Sequence, residues 1–216
     1  MAHNNSFFQY SVNNEQVHYA QELVNHSLAA HKIPNIWDGK NNRNATEELR
    51  FTGTLGEIVF ADAYQLPRPL RSFGADDGQD FGEDFKLLVD GVLKKIDIKT
   101  MRRKSDYFRA DYVLNIPARQ LQKSNSLTDC YFHISLHQNA QENYIASFLG
   151  WVEKQDILTG KIGILYPKNS SRTRANGSQF TFTEDTYEVD FGDFRPAPIY
   201  PLQKSLSGFS LKFIKK

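Results

Sequence analysis

Apolar positions in the first third of the chain recur with the spacing of α-helices. Residues 15–31 carry apolar side chains three and four positions apart, which predicts a helix. A second helix is predicted from Asn44, whose spacing to Glu47 resembles a capping box, as far as Pro67. Gly53 lies inside this segment and indicates either a break or a close approach to another element. The chain is therefore predicted to begin with helices.

The pattern changes to the alternation of β-strands at residues 84–99, which read DFKLLVDGVLKKIDIK. Asp90 and Gly91 stand between two apolar runs, and an Asp-Gly pair in that position is typical of a two-residue hairpin turn. Counting outward from this turn brings Asp84 opposite Asp97. Because alternate side chains of a strand point to opposite faces, we expect one apolar face and one face that carries both acids.

Later segments predict further strands with helical segments between them. Residues 130–137 and 144–152 are rich in aromatic and β-branched side chains and predict strands, and a short helix is predicted over 152–158. Residues 168–179, KNSSRTRANGSQ, are predicted to form a polar, basic loop. The order of elements predicts an α/β protein, bordering on α+β, with a mixed sheet.

Length and composition favour a single domain. The chain has 216 residues, of which 40% are hydrophobic and 24% charged, as in a globular protein that buries a sizeable core. We interpret residues 1–43 as an N-terminal helical extension and 165–216 as a C-terminal accessory segment. The net charge of +1 gives no global argument for nucleic acid, so a basic surface would have to be local.

Cysteine usage and hydropathy bear on the compartment. Cys130 is the only cysteine, which excludes an intrachain disulfide and fits a reducing environment. The sequence shows neither a signal-like apolar run near its start nor the roughly 20 apolar residues that span a bilayer. We therefore expect a cytoplasmic protein without a membrane partner.

The two opposed acids are the main candidate for chemistry. Opposed residues in an antiparallel pair have Cβ atoms roughly 4.5–5.5 Å apart, and like charges there destabilise the sheet. Mg²⁺ would compensate, since it commonly binds one or two carboxylates and keeps its other positions for water and phosphate. Lys99 lies two residues after Asp97 and so on the same face. The alternative is a solvated strand face with ordinary surface charges.

A third acid, Glu57, stands alone among small and apolar residues in GTLGEIVFADAY, residues 53–64. On the predicted helix its neighbours at three and four positions are also small or apolar. Glu57 is therefore either a site residue or an acid at the border of an amphipathic helix's apolar stripe.

Taken in order, Glu57 on a helix, Asp84 at the start of a hairpin, and Asp97 and Lys99 in IDIKT resemble the PD-(D/E)xK nuclease superfamily over roughly residues 44–160. The chain departs from the family pattern because Glu83, and not proline, precedes Asp84. The resemblance implies a restriction-endonuclease-like fold, with a mixed central β-sheet flanked by helices. It also implies catalysis by Glu57, Asp84, Asp97 and Lys99.

The same resemblance implies a metal-dependent deoxyribonuclease, of the restriction-endonuclease type, that acts on DNA as a homodimer. The cofactor would be Mg²⁺, with Mn²⁺ as a substitute. The implied metal ligands are Asp84, Asp97, Glu57 and the carbonyl group of Ile98. The alternatives are a phage-type recombination or repair exonuclease, RNA cleavage, and a non-catalytic nucleic-acid-binding protein that keeps the fold.

Two further sets of residues complete the candidate site. Asp80 also precedes a phenylalanine and is the rival of Asp84 for the first strand acid. Two basic clusters could neutralise DNA phosphates, unless they are solvated loops. The clusters are Arg102, Arg103 and Lys104 after the second hairpin strand, and Lys168, Arg172 and Arg174 in the polar loop.

Overall fold

The computed structural model describes residues 6–30, 43–70, 84–89, 91–105, 107–124, 126–139, 141–174, 177–198 and 210–213. Asp80 and Asp90 lie outside the described residues. The helices are α1 (Asn14–Ala30), α2 (Arg43–Ala63), α3 (Ala118–Leu121) and α4 (Lys154–Leu158), and a 3₁₀ turn covers Phe191–Asp193. The strands are β1 (Ser6–Ser11), β2 (Phe85–Val89), β3 (Val92–Arg102), β4 (Val113–Pro117), β5 (Cys130–Gln138), β6 (Tyr144–Glu153), β7 (Ile164–Tyr166), β8 (Ser171–Thr173), β9 (Gln179–Thr181), β10 (Thr186–Asp190) and β11 (Ser210–Phe213).

The strands form a large mixed sheet and two smaller antiparallel sheets within the described residues. The large sheet has the order β11-β1-β6-β5-β3-β2, and β3 and β5 run parallel whereas its other neighbours are antiparallel. A second sheet has the order β4-β10-β7, and β8 pairs with β9. Helices flank the large sheet, so the chain is α/β, as the order of its predicted elements indicated.

Both faces of the large sheet are covered. On one face, Leu55 and Ile58 of α2 belong to the same buried cluster as Ile96 and Ile98 of β3. On the other face, Tyr131 of β5 belongs to a second buried cluster that includes residues of β4 and β10. The chain can bury strands on both sides because strands such as β5 carry bulky side chains at nearly every position.

The covering of the second face argues against the alternative of a solvated strand face at Asp97. Asp97 lies on the side of Tyr131 and is buried, with 9% of its surface exposed. A carboxylate that is buried in this way interacts more strongly with neighbouring charges than one in water. The environment of Asp97 is therefore that of a partly enclosed site and not of an ordinary solvated strand.

Helix α2 differs from its prediction in one detail that matters for the site. It runs without a break through Gly53. The close approach is made instead by Gly56, where an added Cβ atom would lie 1.7 Å from Oγ1 of Thr100 on β3. Absence of a side chain at this position lets α2 lie directly against the strand that carries Asp97 and Lys99.

Several strands form where the hydrophobic pattern does not predict them, among them β4, β7, β10 and β11. Residues 168–179 were expected to be a loop, but this segment includes β8 and the start of β9. The expected N-terminal helical extension also contributes β1, which lies inside the large sheet between β11 and β6. No helix in the described part of the chain has an apolar stretch long enough to cross a membrane.

Candidate functional site

The predicted hairpin forms with the predicted register. Val89 pairs with Val92, and Phe85 pairs with Ile96. Gly91, in the turn between the two strands, has a φ of +79°, a conformation that glycine adopts without strain. One position beyond the last pair, the Asp84 N–H donates to the carbonyl group of Ile96 at 2.9 Å. The predicted register is confirmed as far as Phe85 and Ile96, and Asp84 follows directly, with its carboxylate at the N–H of Ile98, the residue after Asp97.

The carboxylate of Asp84 is held by the backbone of β3. The N–H of Ile98 donates a hydrogen bond to Asp84 Oδ2 at 2.6 Å. Burial, and then the charges of Glu57 and Asp97, hold the pKa of Asp84 well above its usual range, while Lys99 and the bond from Ile98 act in the opposite direction. Three ionisable side chains, Glu57, Asp97 and Lys99, therefore act on Asp84 at the start of the hairpin.

Asp97 and Lys99 form an ion pair along one face of β3. The Lys99 Nζ atom lies 2.6 Å from Asp97 Oδ1, and both side chains are largely buried. The same Nζ atom lies 5.6 Å from the centre of the Tyr131 ring. Since Tyr131 pairs with Asp97 in the parallel register, the ammonium group lies above the strand between a carboxylate and an aromatic face.

Glu57, on α2, acts electrostatically on Asp84. It directly follows Gly56, the residue whose missing side chain lets the helix contact Thr100, next to Lys99. The charge of Glu57 is the largest electrostatic contribution to the raised pKa of Asp84. The contact between Gly56 and Thr100 therefore places the helix that carries Glu57 against the strand that carries Asp97 and Lys99.

The donor set suits a hard divalent cation. Asp84, Asp97 and Glu57 offer carboxylate oxygens, and the crowding of these acids is reflected in the pKa of Asp84, which burial and then the charges of Glu57 and Asp97 raise. The side chain of Ile98 is buried in the core, so only its backbone could serve as a ligand. Mg²⁺ prefers such oxygen ligands and commonly needs only one or two carboxylates.

The described residues do not form a complete metal cage from protein ligands alone. Within the described ranges, no group of three or more histidine, cysteine, aspartate or glutamate side chains is arranged to hold a metal ion. Water and a substrate phosphate would therefore have to provide the remaining ligands, as is usual for Mg²⁺ in phosphate chemistry.

The three residues of the first basic cluster have different surroundings: Arg102 is paired, Arg103 is fixed by hydrogen bonds, and Lys104 is exposed. Arg102 bonds to Glu48 at 2.7 Å and to Gln138 at 2.7 Å. Arg103 is held by Ser135 and by the carbonyl group of Val113, and burial lowers its pKa to about 10. All three line a cleft of about 600 Å³ whose walls also include Glu48, Gln138, Asn139 and Glu142.

The second basic cluster is also heterogeneous. Arg172 makes an ion pair with Glu188, a carboxylate with only 5% of its surface exposed. Arg174 is exposed at the turn of the β8–β9 hairpin, with its guanidinium 4.8 Å from the centre of the Phe180 ring. Lys168 is exposed. Arg172 therefore has a structural role, whereas Lys168 and Arg174 remain accessible.

The structure brings the two clusters towards each other. Burial is the main cause of the lowered pKa of Arg103, and the charge of Arg174 lowers it further. Arg103 and Arg174, one residue of each cluster, therefore interact electrostatically, although 70 residues of sequence lie between them.

Sequence reasoning did not single out Tyr131 or the residues around Arg103. Tyr131 lies beside Asp97 and Lys99, and burial raises its pKa far above the usual range. His133, at the next position on this face, is fully buried, and its Nε2 atom lies 3.4 Å from Arg103. Only the pairing of β3 with β5 shows these contacts, because about 30 residues separate the partners.

No protein-family model, curated protein or solved structure matches the chain.

Proposed function

We propose that this protein is a metal-dependent nuclease that hydrolyses phosphodiester bonds in DNA, with an active site formed by Asp84, Asp97, Lys99 and Glu57. The observation that carries the proposal is the juxtaposition of Asp84 and the Asp97–Lys99 ion pair on adjacent strands. The N–H of Ile98 fixes one carboxylate and Lys99 fixes the other. A restriction-endonuclease-like arrangement of the mixed sheet is part of the same proposal.

The acids would act as ligands and as orienting groups. Asp84 and Asp97, with the carbonyl group of Ile98, would hold Mg²⁺ or Mn²⁺ beside the scissile phosphate. When bound, the ion supplies Lewis-acid activation of water and of the phosphodiester. Glu57, on α2, would accept a hydrogen bond from the attacking water and so orient it towards phosphorus.

Lys99 would stabilise negative charge at the reacting phosphate. Its ammonium is held by Asp97 Oδ1 at 2.6 Å and lies near the Tyr131 ring, so little reorganisation is needed when charge develops. An electrostatic interaction of this kind is strong in a partly buried site, where water screens charges weakly.

Plasmid cleavage tests the proposal. Purified protein with Mg²⁺ should convert supercoiled plasmid to nicked or linear forms, and EDTA should prevent it. Asp97→Asn, Asp84→Asn and Lys99→Ala should each abolish cleavage, while a cooperative thermal unfolding transition shows that each variant remains folded. Glu22→Gln and Lys123→Ala, which change exposed charges outside the site, are the matched controls.

Two results would contradict the proposal. One is wild-type cleavage by the Asp97→Asn or Lys99→Ala variant, and the other is DNA binding without metal-dependent cleavage, which would favour a non-catalytic binding protein. Sequencing of the product ends separates an endonuclease, which gives internal ends, from an exonuclease, which degrades progressively. Parallel reactions with RNA test the choice of DNA, and the size of the protein in solution tests the homodimer.

A further inference from the structure

Four residues form a row along one face of β3 and its extension, beginning at the candidate active site. Asp97, Lys99, Met101 and Arg103 alternate along the chain and therefore share a face. The N–H of Arg103 still bonds to Leu136 of β5 at 2.8 Å, so the ladder continues to this position. At about 3.3 Å per residue, Arg103 lies roughly 13 Å from Lys99.

Arg103 is packed against an aromatic side chain from the connection between β3 and β4. Its guanidinium carbon lies 4.1 Å from the centre of the Tyr112 ring. Ser105 joins this contact to the next part of the connection, since its Oγ atom shares a hydrogen bond with the Tyr112 hydroxyl and donates to the Tyr107 carbonyl group at 2.6 Å. The backbone of Tyr107 is therefore held in place by its hydrogen bond with Ser105.

Tyr107 itself is exposed, with 59% of its surface accessible. The exposed Lys104 lies on one side of it in sequence, and Arg109, which is paired with Asp111 at 2.8 Å, lies on the other. Arg174, in the β8–β9 hairpin, is stacked on Phe180, and its charge acts on Arg103. We call Arg103, Lys104, Tyr107, Tyr112 and Arg174 the basic–aromatic surface.

An exposed aromatic ring among cations fits unpaired nucleic acid. Bases of a single strand expose their ring faces and stack on aromatic side chains, whereas bases within a duplex stack on one another. Lys104 and Arg174 carry the positive charge that a phosphate backbone requires. A purely electrostatic duplex site would gain nothing from an exposed ring at this position.

We propose that the basic–aromatic surface binds an unpaired DNA strand next to the active site, with one base stacked on Tyr107 and phosphates contacted by Lys104 and Arg174. The proposal rests on the nuclease function proposed above and specifies its substrate as DNA that is single-stranded beside the cleaved bond. The 13 Å between Lys99 and Arg103 corresponds to about four nucleotides of a stacked strand at 3.4 Å each.

Binding in EDTA tests this surface separately from catalysis. The probes are a fluorescein-labelled 12-nucleotide oligothymidylate and a labelled duplex hairpin, followed by fluorescence anisotropy. Tyr107→Ala should weaken binding of the single strand about tenfold, within the 5- to 150-fold range that loss of one stacked base produces. Tyr107→Phe, which keeps the ring, should bind within twofold of the wild type.

The lysine gives an independent measurement. Lys104→Ala should reduce the slope of log affinity against log salt concentration by about 0.7, the contribution of one phosphate contact on a single strand. Lys123→Ala, an exposed lysine outside the surface, should leave that slope unchanged.

The outcomes separate this proposal from the nuclease function. Single-strand binding that depends on Tyr107, in a protein that cleaves no DNA, would support the surface and refute the nuclease. Metal-dependent cleavage by a protein in which Tyr107→Ala binds the single strand like the wild type would refute the surface alone. Equal losses for the single strand and the duplex would also overturn the proposal, because stacking would then not explain the effect.

Discussion

Replacing Gly56 by alanine tests the contact between α2 and β3 on which the site depends. The new Cβ atom would lie 1.7 Å from Oγ1, 2.7 Å from Cβ and 2.8 Å from Cγ2 of Thr100. Thr100 is β-branched and has few side-chain conformations available, so it cannot easily move aside. The helix and the strand must therefore separate.

The expected cost follows from two opposing contributions. Overpacking a core contact typically costs about 1–3 kcal/mol, and so short an approach belongs at the upper end of that range. Alanine is a better helix former than glycine by about 1 kcal/mol. We expect a net loss of about 2 kcal/mol in the free energy of unfolding, which for a chain of this size lowers Tm by about 4–8 °C.

The assay is thermal and urea unfolding of four proteins: the wild type, Gly56→Ala, Thr100→Gly and the double variant. In the Thr100→Gly background the clash is removed, so Gly56→Ala should there be neutral or stabilising by up to about 1 kcal/mol. DNA cleavage, if the proposed function is correct, should fall in Gly56→Ala because Glu57 moves with the helix. A Gly56→Ala variant that is as stable as the wild type would refute the reasoning.

Three other expectations follow from buried groups. Burial and the neighbouring Arg103 hold the pKa of His133 well below its usual range. Stability that is present above about pH 6.5 should therefore be lost as the pH falls, by up to about 1.4 kcal/mol per pH unit. Urea unfolding of His133→Gln should lack this pH-dependent contribution. Burial raises the pKa of Cys130 to about 12, so a thiol-reactive disulfide should label it at pH 8 only after unfolding, and labelling of the folded protein would contradict its burial. Arg172→Ala should lower Tm by more than Arg174→Ala, because only Arg172 neutralises the buried Glu188; similar effects of the two variants would argue against that ion pair.

The hairpin and its register could be predicted because their determinants are local. Asp90-Gly91 defines the turn, and alternation then assigns every residue out to Asp84 and Asp97. The helices α1 and α2 were predictable for the same reason, since apolar spacing within one segment is enough to identify them. Local rules are therefore enough to predict that Asp84, Asp97 and Lys99 lie close together.

The remaining features depend on contacts between distant segments. Phe7 and Phe8 of β1 belong to the two different buried clusters, so the strand lacks the alternation by which a half-exposed strand is identified. Nothing in the chain near Gly53 and Gly56 indicates that only Gly56 meets Thr100. The neighbours of Lys99 and Arg103 likewise became clear only from the pairing of β3 with β5.

The pairing of β1 with β11 affects the order in which the protein can be completed. Ser6 pairs with Phe213, so the first described strand acquires its outer neighbour only after synthesis has reached β11. Until then β1 is an edge strand that carries two adjacent phenylalanines, and exposed edges of this kind promote association between chains. C-terminal truncation should therefore cause aggregation during folding even though β11 lies at the opposite side of the large sheet from the candidate active site.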